Sequence, residues 1–179
     1  MSQLFSKRLR IEPLRAEHAS VVFEPLQHPA IYRFIPNDPP ERAALQRRYD
    51  FLAGARSPDG REHWLNWVAF LRDTHTPVCT FQATLPEGER GSFAYVVFPA
   101  FWRQGYGREV VARMLEHLFE AYPVPELFAE IDTRNTGSIR LVESLDLVRV
   151  GVKADADFFK GAASDEYTYA VTRSEWAAR

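Results

Sequence analysis

Apolar side chains recur every three to four residues in four parts of the chain, and this spacing is typical of helices with one buried face. It predicts helices over residues 17–27, 39–54, 106–122 and 135–145. The third is the clearest, because one apolar stripe runs along its whole length: Tyr106, Val110, Val111, Met114, Leu115, Leu118, Phe119 and Tyr122. Asn135 stands where it can cap the start of the fourth helix.

Between these helices, shorter apolar or alternating runs predict seven strands. They cover residues 8–13, 63–71, 77–85, 91–98, 126–132, 147–153 and 165–172. The turns near residues 73–76 and 86–90 are short, which favours antiparallel hairpins. The resulting order, β-α-α-β-β-β-α-β-α-β-β, predicts an α+β (mixed α/β) fold. We expect a mostly antiparallel mixed sheet of about seven strands, flanked by about four helices.

Length and composition restrict the class of protein. With 179 residues, of which 26% are charged, we expect one domain over residues 1–179. A formal net charge of −2 argues against a dedicated nucleic-acid binder. Lone Cys79 excludes an intramolecular disulfide, and the five histidines lack metal-ligand spacing, so we expect no metal site. Without a signal-peptide core or an apolar run of roughly 20 residues, a cytoplasmic protein without membrane contact is expected.

Candidate chemistry is concentrated in residues 103–108, Arg-Gln-Gly-Tyr-Gly-Arg, between an apolar strand and the clearest helix. Two glycines allow a tight turn and a close approach of the backbone to a ligand. The helix start directs free N–H groups and the positive end of its dipole to the same place, where Arg103 and Arg108 add charge. These features suit a diphosphate-binding site, but they also suit an ordinary solvated helix start.

Two other phosphate-binding motifs were compared with this loop. The chain contains no G-x-x-x-x-G-K-[ST] string, which a P-loop requires. A dinucleotide fingerprint would need a third glycine where Val110 stands, although Asp132 could loosely supply its acidic residue. The preceding strands also resemble a hairpin meander rather than a parallel βαβ array, which disfavours the dinucleotide interpretation.

At this point the sequence resembles a known family. Residues 93–109, an apolar strand followed by the glycine loop, resemble the Q/R-x-x-G-x-G/A acetyl-CoA signature of the GNAT N-acetyltransferases. The string from Asn135 to Ser138 is similar to the N-x-x-S segment of the RimJ/RimL-like branch, which contains ribosomal-protein N-terminal acetyltransferases. The ending at residues 165–176 and the early string at residues 28–36 are similar to that branch too. The resemblance implies a GNAT fold along nearly the whole chain.

One departure from the family pattern follows the N-x-x-S helix. Leu145-Asp146-Leu147 stands where the family has Leu-Gly-Phe. The glycine normally permits a left-handed turn out of the helix, and aspartate tolerates that conformation better than most residues. We therefore expect the turn to survive, and the missing aromatic side chain to affect the shape of the pocket rather than cofactor binding.

The resemblance implies that acetyl-CoA is the acyl donor and assigns residues to it. Pantetheine and diphosphate would be bound by the strand end and the loop, namely Val97, Phe98, Arg103, Gln104, Gly105, Tyr106, Gly107 and Arg108. Asn135 would bond an amide of the pantetheine arm. Ser138, three residues later on the same helix face, would contact the arm and donate a proton to the departing thiolate. Both residue types are also ordinary at a helix start.

The acceptor side is less well specified by sequence. Glu130 is the leading candidate for the general base, with Asp132 and His63 as alternatives, and a chain of water molecules could also serve. By analogy with the fold alone, Tyr32 and Phe34 after the first helix would shape the acceptor pocket.

These observations predict an acetyl-CoA-dependent N-acetyltransferase that transfers acetyl to a primary amine in a ternary complex. The acceptor would be a protein N-terminus or a small-molecule amine, and the enzyme a monomer or homodimer. Two rivals remain at this stage, a GNAT-fold acyl-CoA sensor without turnover and, less favoured, an NAD(P)-binding oxidoreductase.

Overall fold

One eight-stranded sheet with helices on both faces forms the frame of the computed structural model, which describes residues 2–179. The strands are β1 (Leu4–Phe5), β2 (Leu9–Pro13), β3 (Glu62–Leu71), β4 (Pro77–Pro86), β5 (Gly91–Val97), β6 (Glu126–Asp132), β7 (Val148–Phe159) and β8 (Ala162–Thr172). The helices are α1 (His18–Val22), α2 (Arg42–Leu52), α3 (Tyr106–Ala121), α4 (Thr136–Glu143) and α5 (Arg173–Ala177). The predicted mixed fold is confirmed.

The strands lie in the order β1-β2-β3-β4-β5-β6-β8-β7. Among the strands of residues 2–179, β5 and β6 form the single parallel pair, and the other neighbours are antiparallel. β5 and β6 pair only through Gly91 with Leu127 and Ser92 with Phe128. Beyond these residues the two strands separate, which opens a gap in the middle of the sheet. The antiparallel β3-β4-β5 meander does not fit the βαβ array of a dinucleotide-binding domain.

Two apolar clusters lie on opposite faces of the sheet. The larger cluster packs the predicted stripe of α3, including fully buried Val110 and Met114, against β3 to β6. The smaller cluster packs α1 and α2 against residues of β3 such as Val68. The stripe therefore faces the core as predicted. None of the helices in residues 2–179 is long and apolar enough to cross a membrane.

Some predicted boundaries differ from the observed ones. The first predicted helix ends at Val22, and a separate 3-10 turn covers Pro25–Gln27. Pro25 cannot donate a backbone hydrogen bond and its ring would clash inside a continuous helix. The last hairpin is longer than predicted and turns through Lys160 and Gly161, which both have positive φ, 53° and 80°. Short β1 and α5 were not predicted.

The ends of α4 follow the sequence expectation. The Asn135 side chain accepts a hydrogen bond from the backbone N–H of Ser138 at 3.2 Å, so the predicted N-cap is confirmed. After the helix, Asp146 has a φ of 53°, the left-handed conformation expected where the family has glycine. The N–H of Leu147 then bonds back to the carbonyl of Val142, which closes the helix end.

Candidate active site

A cavity of about 770 Å³ lies where β5 and β6 separate. Its walls come from the end of β5, the loop before α3, the first turn of α4 and residues 30–35. The helices α3 and α4 belong to one face of the sheet, whereas residues 30–35 follow α1 on the other face. The cavity therefore connects the two faces through the gap in the sheet.

The end of β5 offers backbone groups to this gap. Phe98 donates its N–H to the carbonyl of Val78 on β4 at 2.9 Å. Because peptide groups alternate in direction along a strand, the N–H groups of Val97 and Tyr95 point away from β4 and toward β6. The Val97 carbonyl accepts a hydrogen bond from the indole N–H of Trp102 at 2.6 Å, which holds Trp102 at the cavity rim.

The same contacts correct one predicted site residue. Phe98 was expected to bind the cofactor, but its N–H is already bonded to β4 and its side chain is only 1% exposed. It belongs to the smaller apolar cluster. The assignment to Phe98 is therefore wrong, and Val97 is the residue whose amide faces the gap.

The start of α3 is open toward the cavity. Gly105 occupies the N-cap position with a φ of 80°, and no side chain caps the helix. The N–H groups of Tyr106, Gly107 and Arg108 therefore have no partner within the helix. Arg103 and Arg108 line the cavity beside them, and Arg140 of α4 lines it from the other side. This concentration of positive charge and free donors suits an anionic group such as a diphosphate.

Arg8, a residue that the sequence analysis did not single out, holds this loop in shape. Its guanidinium donates to the Gln104 carbonyl at 3.0 Å, lies 4.0 Å from the centroid of the Tyr106 ring, and bonds Glu109 at 2.6 Å. Burial opposes ionisation of Glu109, but hydrogen bonds from Ser6 and Arg8 outweigh it and lower the pKa of this carboxyl. A separation of about a hundred residues left no local pattern from which Arg8 could have been identified.

The side chains of Gln104 and Tyr106 do not line the cavity. Gln104 donates to the carbonyl of Ala100 at 2.8 Å, and Tyr106 packs edge-on against Phe101 and beneath Arg8. These two residues shape the loop, and only their backbone groups remain as candidates for ligand contact.

Glycine is favoured at the two loop positions for different physical reasons. Gly105 needs its positive φ, whereas Gly107 is required by packing. A Cβ at Gly107 would lie 2.6 Å from Leu141 Cδ1 and 3.0 Å from Val97 Cγ2, since α3 crosses close to α4 and β5 here. Gly107 also lines the cavity, so its backbone stays a candidate for ligand contact, and a large side chain at this position would disturb the packing of α3 on α4 and β5.

A cluster of three polar side chains lies at the first turn of α4. Asn135 and Ser138 both line the cavity, and the Asn135 oxygen also caps the helix. The Ser138 hydroxyl lies 2.7 Å from the hydroxyl of Tyr95, which also lines the cavity. Burial raises the pKa of Tyr95, despite its hydrogen bond with Ser138, so the phenol stays protonated. The sequence analysis missed Tyr95, because the apolar run of β5 concealed it.

Of the two residues expected to shape the acceptor pocket, only Phe34 lines the cavity. Phe34 lines the cavity together with Ile31 and Ile35. Tyr32 does not, because it is 7% exposed and its hydroxyl donates to the carbonyl of Leu26 at 2.8 Å. Tyr32 is therefore a packing residue, and its assignment as a substrate-binding residue is wrong.

Lys160, at the tip of the β7–β8 hairpin, fixes the segment that carries Phe34. Its ammonium donates to the carbonyl of Tyr32 and, at 3.1 Å each, to those of Ile35 and Asn37. One side chain thus joins the hairpin to the apolar wall of the cavity.

The candidates for the general base are not brought into the cavity. Glu130 is exposed, lies outside the cavity lining and points to the face of the sheet opposite α3. Burial is the largest cause that raises the pKa of neighbouring Glu166, and the negative charge of Glu130 is the second. Asp132 bonds Arg134 and Ser164. His63 pairs with Leu85 at the other end of the sheet.

Among residues 2–179, those lining the cavity include no carboxylate and no imidazole. The assignment of Glu130 as a base acting within the cavity is therefore not supported, since no chemistry there can reach it directly. The arginines, the apolar wall and the amide of Val97 together fit a long anionic thioester whose reactive end meets a second substrate.

Comparison with known proteins agrees with this geometry. A family model described as an acetyltransferase (GNAT) domain matches residues 8–148. The chain is 22% identical to an uncharacterized N-acetyltransferase, p20, from Bacillus licheniformis over 177 residues, which cover 99% of each chain.

Two solved structures have the same fold. Ribosomal-protein-S5-alanine acetyltransferase from Vibrio fischeri matches with a TM-score of 0.83 and 14% identity, covering 98% of this chain and 99% of its own. Spermidine N-acetyltransferase from Vibrio cholerae, solved with CoA and spermine, matches with a TM-score of 0.81 and 15% identity. The match covers 96% of this chain and 99% of the other. The two act on different amines according to their names, so the shared fold does not select the acceptor.

Proposed function

The chain belongs to the acetyltransferase (GNAT) family, and from that premise we propose that it transfers acetyl from acetyl-CoA directly to a primary amine, with both substrates in the cavity between β5 and β6. The observation that carries this proposal is the cavity itself, which joins an arginine-lined entrance on the α3 and α4 face to an apolar wall on the other face. Donor and acceptor can thus approach the same point from opposite sides of the sheet.

The donor half of the site is built around the start of α3. The uncapped N–H groups of residues 106–108, with Arg103 and Arg108, would hold the diphosphate. The Val97 amide and the Asn135 side chain would orient the pantetheine arm along the gap. When bound, acetyl-CoA supplies an activated acyl group.

Two groups of this chain are placed to assist the transfer. The Val97 N–H points into the gap, where it can donate to the carbonyl oxygen as negative charge develops there. The Ser138 hydroxyl, on the facing turn of α4, is the donor assigned to the departing sulfur. Both groups would therefore be most effective when charge accumulates during the reaction.

The amine would enter along the wall formed by Ile31, Phe34 and Ile35. Since the lining residues of the described part of the chain include no carboxylate and no imidazole, water is the proposed first acceptor of its proton. An α-amino group, with a pKa near 8, needs less help than a lysine-like amine near 10. This difference, together with the string from Asn135 to Ser138, supports a peptide N-terminus as acceptor and the RimJ/RimL-like branch, with small-molecule amines as the other class.

Thiol release from acetyl-CoA, measured against a panel of amines, tests this function. The panel includes peptides with free N-termini, the same peptides blocked at the N-terminus, a polyamine and an aminoglycoside. We expect release with a free but not a blocked N-terminus. If none of these amines stimulates release, the proposed transfer is contradicted.

The role of Ser138 is tested in the same assay. Loss of a hydrogen bond to a charged group costs roughly 1.5–3 kcal/mol, so Ser138→Ala should lower kcat by about tenfold or more, with little change in the Kd of acetyl-CoA. Ser144→Ala is the matched control, because Ser144 lies at the opposite end of α4 and bonds only the Leu141 carbonyl through its hydroxyl. Equal turnover by both variants, with chemistry rate-limiting, would remove Ser138 from the reaction.

A further inference from the structure

We propose that Tyr95 is a positioning residue that directs the hydroxyl hydrogen of Ser138 into the cavity, toward the sulfur of the bound coenzyme. The inference rests on the role proposed above for Ser138. Tyr95, on strand β5, would thus act on the sulfur through Ser138, on helix α4.

The ring of Tyr95 is held on the sheet by packing contacts. Its side chain projects from β5 on the same face as Phe93, and the two rings stack with centroids 6.4 Å apart. It packs against the larger apolar cluster. Tyr95 also lines the cavity, and its phenolic oxygen lies 2.7 Å from Ser138 Oγ.

The direction of this hydrogen bond follows from the partners available to each hydroxyl. The phenolic hydrogen of Tyr95 needs an acceptor, and Ser138 Oγ at 2.7 Å is closer than the Ser138 carbonyl at 3.4 Å. If Tyr95 donates to Oγ, the hydrogen of Ser138 is left to point elsewhere. Without Tyr95, a serine in a helix can turn its hydroxyl back to a carbonyl of the preceding turn.

Tyr95 is not itself the source of the proton. Burial raises the pKa of its phenol, so passing a proton through Ser138 would leave a buried tyrosinate, which is unfavourable. The phenol keeps its hydrogen and acts only through the orientation of Ser138. When the carbon–sulfur bond breaks, the electron pair stays on sulfur and the Ser138 hydrogen bond stabilises that charge.

Ionisation of the thiol of bound CoA tests this inference without any acceptor amine. The thiolate absorbs in the ultraviolet, so its fraction can be followed against pH in the binary complex of CoA with each protein. Relative to the original protein, Tyr95→Phe and Ser138→Ala should each lower the thiolate fraction by about tenfold at a pH below the pKa of the bound thiol, the effect of losing one charge-assisted hydrogen bond. The double variant should be no lower than Ser138→Ala alone, because the effect of Tyr95 passes through Ser138.

Tyr167→Phe, on β8, provides the matched control and should leave the thiolate fraction unchanged. The Tyr95→Phe variant keeps the ring that packs in the core, and its melting temperature checks that the fold is retained. A wild-type thiolate fraction in Tyr95→Phe, or an additive loss in the double variant, would overturn the positioning role. Failure of CoA to bind the unaltered protein in calorimetry would instead contradict the proposed site, so the two failures are distinguishable.

Discussion

At the scale of single residues, some polar side chains around α4 hold the fold together, and others line the cavity. Asp132 is buried, with its side chain only 2% exposed, and holds Arg134 through a 2.5 Å contact and Ser164 through a 2.7 Å hydrogen bond. It thus fixes the turn from β6 into α4 and ties it to β8. Asn135 caps the helix, and Ser138 with Tyr95 faces the cavity. Asp132, expected from the sequence as an alternative base, therefore anchors the turn that carries the cavity-lining residues Asn135 and Ser138.

The stability of this anchor should depend on pH. The hydrogen bonds from Arg134, followed by that from Ser164, lower the pKa of Asp132 from 3.8 to about 2. Because the pKa is lower in the folded chain than in the unfolded chain, the contribution is complete above about pH 5 and is lost as the pH falls through about 2. It corresponds to about 2 kcal/mol in the free energy of unfolding.

Urea unfolding between pH 6 and pH 2 measures this contribution. Asp132→Asn should be less stable at pH 6 and should lack this part of the acid-dependent loss. Asp73→Asn, in an exposed turn, is the matched control and should follow the unaltered protein. The same pH dependence in Asp132→Asn as in the unaltered protein would show that Asp132 is not the anchor.

At the scale of elements, the β7–β8 hairpin supports the acceptor wall. Lys160 at its tip satisfies three carbonyls of the segment between Tyr32 and Asn37, and its ammonium also lies 3.8 Å from Asp38. That segment has little regular structure beyond a 3-10 turn, Pro29–Phe34. The position of Phe34 and Ile35 in the cavity therefore depends on a residue more than a hundred positions away.

Removing this support should affect the acceptor more than the donor. Lys160→Met keeps an apolar side chain of similar length but loses the hydrogen bonds to the carbonyls, so the acceptor wall should become less ordered. We expect the KM for the amine to rise several-fold, about 1 kcal/mol in apparent binding, while the Kd of acetyl-CoA stays unchanged. Steady-state kinetics with the best amine of the panel, with Lys153→Met of β7 as control, measure this. A rise in the Kd of acetyl-CoA with an unchanged KM for the amine would contradict the prediction, because Lys160 would then support the donor half of the site.

Elements with strong local patterns were predictable from the sequence, and those set by distant contacts were not. The α3 stripe and β6 were predicted because their periodicity is unbroken. The left-handed Asp146 was predictable because its conformation is a local property. By contrast, β7 extends to Phe159 through charged, exposed residues and irregular pairing, which conceal the alternation of a strand.

The candidate site divides in the same way. The sequence identified the loop before α3 and the polar turn of α4, since residue type and spacing carry those motifs. It could not show which way a backbone N–H points. For this reason Phe98 was expected to bind the cofactor, whereas its N–H bonds β4 and its side chain is buried. Nor could it show that Arg8 supports the loop or that Tyr95 meets Ser138, because both contacts join distant parts of the chain.

At the scale of the whole molecule, the separation of β5 from β6 opens the cavity that we propose as the active site. A sheet with complete pairing would leave no passage between its faces and no free amide at Val97. The chain has a formal net charge of −2, yet Arg103, Arg108 and Arg140 all line the cavity. Local concentration of charge, rather than overall charge, thus distinguishes the donor side.

Calorimetric titration of the protein with acetyl-CoA, before and after charge reversal at Arg108, tests the central claim most directly. Arg61→Glu is the control, because Arg61 is exposed and lies outside the cavity lining, and it makes the same change in net charge. If the start of α3 binds the diphosphate, Arg108→Glu should weaken binding by at least about tenfold at moderate salt, whereas Arg61→Glu should bind as the unaltered protein does. Equal affinity in all three proteins would contradict the assignment of this cavity to the coenzyme.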